Sequence, residues 1–209
     1  LKADILDGLF IATDDERIFN KVLAFGGKPF MTPVSCPTGT DRISWLIKNN
    51  PLFSDAEIIV NIQGDEPHIH SDVIEGCIKT LQTARDASIA TPIIPIKDKK
   101  EAESLSVVKC VTDTFGYALY FSRSLIPHNK SGNYRTGSPY FKHIGLYAYR
   151  KEFLLLYPYI QPTPLQQEED LEQLRALEMG YRIKTYQTDH DSIGIDTELD
   201  LQTTLEQMT

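Results

Sequence analysis

The chain has 209 residues, of which 41% are hydrophobic and 24% charged, a composition typical of a globular protein with one sizeable domain. Its net charge of −8 would repel nucleic acid and anionic membrane surfaces alike, so we expect no nucleic-acid partner. No apolar run approaches the roughly 20 residues of a membrane-spanning helix, and early charged residues argue against a signal peptide, so we expect no membrane insertion.

The first half of the chain alternates short apolar runs with helical patterns. Predicted strands occupy 8–13, 57–63 and 88–96, where the sequence reads GLFIAT, EIIVNIQ and SIATPIIPI. Predicted helices follow the first two strands, at 15–25 and 72–84. Thr13 and Ser71 are the predicted N-caps of these helices. Strand–helix–strand alternation of this kind points to a doubly wound, mainly parallel sheet.

The middle of the chain is strand-like and rich in aromatic residues. The runs VVKCVTD, GYALYFS and FKHIGLYAYR predict an antiparallel arm or insertion at about 115–150. Because both faces of such a ribbon need cover, it would form either a homodimer contact or an ordinary edge of the protein's own sheet. Beyond it we predict a long helix over 162–180, a strand over 182–188 and a helix over 196–208. No sharp boundary separates a second domain, so 1–209 is predicted to be one domain.

The three cysteines are odd in number, widely spaced and set among apolar neighbours. They are Cys36, Cys77 and Cys110. This pattern predicts reduced thiols rather than a disulfide framework or a zinc site, and it favours a cytoplasmic location.

Two acidic residues stand where predicted strands give way to the next element. Asp65 follows the strand 57–63 after Gly64, and Asp196 lies between an apolar segment and the final helix. In an open parallel sheet, ligands bind beyond the carboxyl ends of the strands. Carboxylates in that place suit Mg²⁺ and nucleotide phosphates. The alternatives are a structural turn at Asp65 and a simple helix N-cap at Asp196.

A polar turn at Thr38, Gly39 and Thr40 leads into another predicted helix. Its free N–H groups could take a ligand acceptor. Arg42 lies in the first turn, where a cation opposes the helix dipole unless an anion is near. A ligand could supply that anion, or Arg42 could simply pair with Asp41 or another nearby acid.

Further charged and polar residues follow the aromatic strands. Arg123 could clamp a carboxylate with its planar fork, whereas a strand histidine such as His143 is more often a hydrogen-bonded core residue. The acids of the sequence EEDLE are by default a solvated helix face; they are Glu168, Glu169, Asp170 and Glu172. The sequence has no G-x-S-x-G, P-loop or G-x-G-x-x-G motif, which disfavours nucleophilic hydrolysis and dinucleotide redox chemistry.

Six motifs together resemble one known family. VNIQGDEP, PTGTDR, ALYFSRSLIPHN, KHIGLYAYR, EDLEQLRALEMG and GIDTELDL occur in the order and near the spacing found in the 3-deoxy-manno-octulosonate cytidylyltransferases, the CMP-Kdo synthetases. The resemblance implies an α/β, Rossmann-like fold of the nucleotide-diphospho-sugar transferase type. It also implies transfer of CMP from CTP to 3-deoxy-D-manno-octulosonate (Kdo), with Mg²⁺ as cofactor, in the cytoplasm and for lipopolysaccharide biosynthesis. A homodimer is expected.

The resemblance also assigns roles to individual residues. The metal-binding and catalytic acids would be Asp65 and Asp196. The nucleotide-binding residues would be Thr38, Gly39, Thr40 and Arg42. The sugar-binding residues would be Gln63, Arg123, His143, Glu172 and Gln173. Glu168 and Glu169 would remain on the solvated helix face.

The sequence departs from the family at its start. Members begin with a strand and a basic loop of the type P-A-R-x-x-S-x-R-x-P-G-K that grips the triphosphate, and no such loop occurs here. We expect an upstream segment that this sequence omits; the alternative is an inactive nucleotide-sugar-binding remnant. A cytidylyltransferase for another acid sugar, such as sialic acid, is the nearest competing interpretation.

Overall fold

A mixed sheet with helices on both faces forms the centre of the protein. The computed structural model describes residues 5–64, 66, 68–132, 134–192 and 202. The strands are β1 Ile11–Thr13, β2 Pro29–Met31, β3 Ile58–Ile62, β4 Ile89–Pro95, β5 Lys109–Thr112, β6 Ala118–Ser122, β7 Phe141–His143, β8 Leu146–Arg150 and β9 Ile183–Gln187. The helices are α1 Glu16–Ala24, α2 Gly39–Asn49, α3 Ser71–Thr83, α4 Lys99–Glu103, α5 Lys151–Leu156, α6 Pro164–Glu169 and α7 Glu172–Glu178. Short 3₁₀ turns occur at Pro51–Phe53 and Tyr157–Tyr159.

The α/β class is confirmed, but the large sheet is mainly antiparallel rather than mainly parallel. Strands β3 to β9 form a seven-stranded sheet. Six of them follow the order β3-β8-β4-β7-β5-β6, and β9 pairs with β4. Within the described part of this sheet, β4 and β9 pair in parallel and the other pairs are antiparallel. β1 and β2 form a separate parallel pair.

The difference comes from where the aromatic-rich segment lies. β8 inserts between β3 and β4 and runs antiparallel to both. β3 and β4 therefore share a direction, as their strand–helix–strand connection requires, without being neighbours. Two of the strands predicted in the arm, β7 and β8, are thus interior strands, whereas β6 lies at the end of the strand order.

Alternation along β8 divides the core into two layers. Leu146 and Ala148 pack with α3 on one face of the sheet. Tyr147 and Tyr149 point to the other face, where α2, α5 and α7 supply the cover. This second face carries most of the residues that the sequence marks as functional.

Three local predictions need correction. Asp15 caps α1 in place of Thr13, since its carboxylate accepts from the Arg17 backbone N–H at 2.7 Å. His70 caps α3 in place of Ser71. The long helix predicted over 162–180 is two short helices, because Asp170 takes a left-handed conformation at φ 54° and ends α6. Asp is one of the residues that tolerate this conformation.

Among the described residues, no helix combines the length and apolar character that crossing a membrane would require.

Candidate active site

The turn at Thr38 begins α2 as predicted. Thr38 is the N-cap: its side-chain oxygen accepts from the Asp41 backbone N–H at 3.2 Å, and its hydroxyl donates to Asp41 Oδ2 at 2.8 Å. Gly39 faces Gln63 at the end of β3, since a Cβ at Gly39 would lie 3.9 Å from Gln63 Oε1. The predicted nucleotide-binding loop thus adjoins Gln63, one of the predicted sugar-binding residues.

Thr40 joins α2 to α7. Its buried hydroxyl donates to Glu172 Oε2 at 2.7 Å and lies 3.5 Å from the Tyr149 hydroxyl. Burial raises the pKa of Glu172, and the hydrogen bond from Thr40 opposes that rise. Glu172 therefore does not lie on a solvated helix face; its carboxylate lies at the first turn of α2, where the helix dipole favours an anion.

Gln173 is hydrogen-bonded to Tyr147 of β8. The Tyr147 hydroxyl donates to Gln173 Oε1 at 3.0 Å, and Tyr147 stands opposite Asn61 in the β3–β8 pairing. Within the described structure, the amide nitrogens of Gln173 and Asn61 are buried and have no hydrogen-bond partner. A buried donor without a partner destabilises the fold, so a ligand acceptor that pairs with these nitrogens would remove that cost.

His143 is held as a neutral histidine. Thr91 donates its hydroxyl proton to the Leu146 carbonyl at 2.7 Å, so its oxygen accepts from His143 Nε2 at 3.0 Å. Burial lowers the pKa of His143 to about 3. Its ring packs against Phe121 and Tyr147. The geometry has the features of a hydrogen-bonded core histidine, and such a residue could offer a ligand a hydrogen bond but no charge.

Arg123 is fixed by Glu169, which corrects the prediction that Glu169 is solvated. The Glu169 carboxylate accepts from the Arg123 backbone N–H at 2.9 Å and from the Ser122 hydroxyl at 2.5 Å. The Arg123 Nε donates to the Glu169 backbone carbonyl at 3.0 Å. Glu169 thus attaches the end of α6 to the end of β6 and orients the guanidinium.

Arg42 pairs with an acid, as one of the two alternatives expected. The acid is Asp14 rather than Asp41: Arg42 Nη2 donates to Asp14 Oδ2 at 2.8 Å. Arg42 Nη1 donates to Thr32 Oγ1 at 2.5 Å. Its predicted contact with a nucleotide stays a prediction.

Asp65 and Asp196 lie outside the described residues, but segments next to both of them meet. Glu66 directly follows Asp65, and Ser192 precedes Asp196 by four positions. The Ser192 hydroxyl donates to Glu66, whose other carboxylate oxygen accepts from the Gly145 backbone N–H at 3.3 Å. Glu66 therefore connects the end of β3 with the start of β8 and with the segment after β9.

Comparison with known proteins identifies the family. A family model described as cytidylyltransferase matches residues 1–184. The 3-deoxy-manno-octulosonate cytidylyltransferase of Protochlamydia amoebophila is 48% identical over 201 residues, covering 96% of this chain and 78% of the relative. The chain belongs to the 3-deoxy-manno-octulosonate cytidylyltransferase family. The enzyme of the same name from Zea mays is 46% identical, covering 96% of this chain and 66% of the relative.

A solved structure supports the same assignment at the level of the fold. A CMP:2-keto-3-deoxy-manno-octonic acid synthetase complexed with CTP superimposes with a TM-score of 0.89 at 34% identity. The match covers 99% of this chain and 83% of that structure. The mainly antiparallel order of the large sheet is thus compatible with a cytidylyltransferase.

Several contributors to this candidate site were missed by sequence reasoning. Tyr147 and Tyr149 connect the predicted residues to one another, while Glu66 and Glu169 hold the surrounding segments. The two tyrosines carried a usable signal, because positions i and i+2 of the strand LYAYR share one face. The two glutamates carried none, because their partners come from distant segments of the chain.

Proposed function

We infer that the protein transfers CMP from CTP to Kdo and releases pyrophosphate. The observation that carries this inference is the hydrogen bond from Thr40 to Glu172. It joins a predicted nucleotide-binding residue to a predicted sugar-binding residue. Close relatives bear the name of this activity, and the similar solved structure contains CTP. The two alternatives, another acid sugar and an inactive binding protein, have no comparable support.

The reaction is a single displacement at phosphorus. The anomeric hydroxyl oxygen of Kdo forms a bond to the α-phosphorus of CTP as the bond from that phosphorus to the bridging α–β oxygen breaks. Pyrophosphate takes the electron pair of the broken bond, and the hydroxyl proton passes to solvent or to a basic group. The protein's task is to align the two substrates and to offset their negative charge.

The sugar side of the site supplies uncharged hydrogen-bonding groups and one cation. Gln173 and Asn61 present unpaired amide nitrogens beside Tyr147, and these donors would bind sugar hydroxyl or carboxylate oxygens. His143 is neutral and would contribute a hydrogen bond. Arg123 would clamp the Kdo carboxylate, because Glu169 holds its Nε side in place.

Magnesium is proposed as the cofactor, held by Asp65 and Asp196. Carboxylate oxygens are ligands that Mg²⁺ prefers, and the contact between Glu66 and Ser192 supports a meeting of the two segments that carry these acids. When bound, Mg²⁺ would offset phosphate charge and lower the pKa of the attacking hydroxyl.

A homodimer is proposed through the segment at about 115–150. Phe115 is 75% and Leu119 62% exposed near the end of the strand order, which supports a covering partner there. Analytical ultracentrifugation should show a dimer for the wild type and a monomer for Leu119→Glu.

We further propose a cytoplasmic location, supported by the three free cysteines, and a role in lipopolysaccharide biosynthesis.

The test is pyrophosphate release from CTP by protein expressed from its natural gene start, with Mg²⁺ and either Kdo or sialic acid. Release that requires Kdo and fails with sialic acid is expected. Release with sialic acid but not with Kdo would mean that sialic acid is the substrate, while the proposed reaction would stand. CTP binding without release for any acid sugar would favour the inactive binding protein.

A further inference from the structure

Two histidines and one aspartate meet on the surface beside the end of β9. His70 caps α3, Asp72 lies in its first turn, and His190 follows β9 much later in the chain. The two imidazole rings stack with centroids 4.0 Å apart and planes 5° apart. Asp72 Oδ2 lies 3.5 Å from His70 Nδ1 and 3.7 Å from His190 Nε2.

We propose that His70, Asp72 and His190 form a binding site for a divalent transition metal, with Zn²⁺ as its representative. One ligand atom from each residue lies within 4.8 Å of the other two. Ligands at the usual Zn²⁺ distances stand about 3.4 Å apart in a tetrahedral sphere. The two measured distances to Asp72 are close to that separation, so one ion could contact all three groups after a small side-chain adjustment.

The adjustment needed is a rotation of the histidine rings. Parallel rings cannot both aim a nitrogen lone pair at one ion, so at least one ring must tilt. Both side chains are 49% exposed, which leaves them room to turn. At His70, the metal bond would replace a 3.3 Å hydrogen bond that Nδ1 accepts from the Asp72 backbone N–H.

The donor set selects the class of metal. Imidazole nitrogen suits Zn²⁺, Ni²⁺ and Cu²⁺, whereas Mg²⁺ prefers oxygen ligands. Two nitrogens and one carboxylate leave a coordination position for water. The site is therefore distinct in chemistry from the one proposed at Asp65 and Asp196, and it holds or fails independently of the proposed function.

The consequence of binding follows from the position of the ligands along the chain. His70 comes five positions after Asp65, and His190 six positions before Asp196. A bound ion would cross-link the segment after β3 to the segment after β9. Since binding to the folded state alone stabilises it by mass action, Zn²⁺ would raise the thermal midpoint of the protein.

The experiment titrates the chelator-treated protein with ZnCl₂ in excess MgCl₂, by calorimetry. The variants are His190→Asn and His70→Asn, the second of which keeps a side-chain acceptor at the helix cap. His128→Asn is the matched control, since His128 is exposed elsewhere. We expect one Zn²⁺ per chain and affinity weakened by about tenfold or more in the two site variants.

A spectroscopic readout accompanies the titration. Co²⁺ in place of Zn²⁺ should give visible d–d bands in the wild type and in His128→Asn, and weaker or altered bands in His190→Asn. Equal Zn²⁺ affinity in all variants would place the metal elsewhere and overturn the proposal. Absence of binding by the folded wild type would overturn it as well.

Discussion

Thr40 and Glu172 are 132 positions apart in the chain, yet the Thr40 hydroxyl donates to the Glu172 carboxylate at 2.7 Å. Thr40 lies in the first turn of α2 and Glu172 is the first residue of α7, so the contact fixes the two helix starts against each other. The carboxylate is partly shielded from water, which makes its hydrogen bonds count for more.

The first prediction removes that hydrogen bond. In Thr40→Val, the shape is kept and the donor is lost, so Glu172 is left with a higher pKa and a less defined position. A hydrogen bond to a charged group contributes about 1.5–3 kcal/mol, so kcat/KM for pyrophosphate release should fall about 10- to 100-fold. Thr40→Ser keeps the donor and should retain most of the activity. Normal kinetics in Thr40→Val would show that the contact does not matter for function.

The second prediction concerns Glu169. Glu169→Gln turns one acceptor oxygen into a donor that faces the Ser122 hydroxyl or the Arg123 backbone N–H. We expect a loss of about 1–3 kcal/mol in the free energy of unfolding, measured with urea.

Its neighbour offers a matched control. Glu168 is exposed, and Glu168→Gln should stay within about 0.5 kcal/mol of the wild type. If the two variants were equally stable, the contacts of Glu169 would have no net effect on stability.

The third prediction follows the titration of His143. The pKa of His143 is about 3 in the folded protein, against an ordinary value of 6.5 that applies to the unfolded chain. Between these two pH values the unfolded chain therefore binds one more proton than the folded protein. The stability that His143 contributes is therefore complete above pH 6.5 and is lost as pH falls toward 3. The loss at about pH 4.5 should be roughly 2–3 kcal/mol relative to pH 7.

Replacement of His143 isolates this effect. His143→Gln lacks the titrating group, so its stability deficit relative to the wild type should shrink as the pH falls from 7 to 4.5. His128→Gln, at an exposed position, is the matched substitution control. A constant deficit for His143→Gln across this range would mean that the imidazole is protonated inside the fold.

The α/β class was predictable because short apolar runs and capped amphipathic helices are local patterns. The strand order was not, because it depends on which strand pairs with which. The sequence of β8 gives no sign that this strand enters between β3 and β4. Strand–helix–strand alternation fixes the common direction of β3 and β4 but leaves open whether another strand separates them.

The candidate site was predictable in part for the same reason. Thr38 and Gly39 are the N-cap and first residue of a helix whose start the sequence marks locally, and the structure places that start beside Gln63. Glu169 and Glu66 look like surface acids in the sequence, because burial and long-range partners leave no local trace. The break at Asp170 also has no strong sequence signal, although it ends α6 just before the helix that carries Glu172 and Gln173.

The fourth prediction tests the metal proposal. Chelation should abolish pyrophosphate release, and added Mg²⁺ should restore it, since the phosphates of CTP need a counter-charge. Asp65→Asn should reduce kcat strongly while CTP binding persists. Zn²⁺ affinity at His70, Asp72 and His190 should be unchanged in that variant. Full turnover by Asp65→Asn would contradict the assignment of Asp65 as a ligand.

The last prediction separates a sugar contact from a structural role at Gln173. The side chain is 4% exposed, its oxygen accepts from Tyr147, and its nitrogen has no partner among the described residues. Gln173→Ala should raise KM for Kdo several-fold, in keeping with the loss of one hydrogen bond of about 0.5–1.5 kcal/mol, and leave KM for CTP unchanged.

Two further variants decide how that result is interpreted. Tyr147→Phe removes the hydrogen bond to the Gln173 oxygen but keeps the amide nitrogen, so it separates loss of positioning from loss of the donor. Gln167→Ala, at an exposed glutamine, controls for composition. A fall in stability without a change in KM for Kdo in Gln173→Ala would make Gln173 a core residue, and the unpaired nitrogen would then face a group other than the sugar.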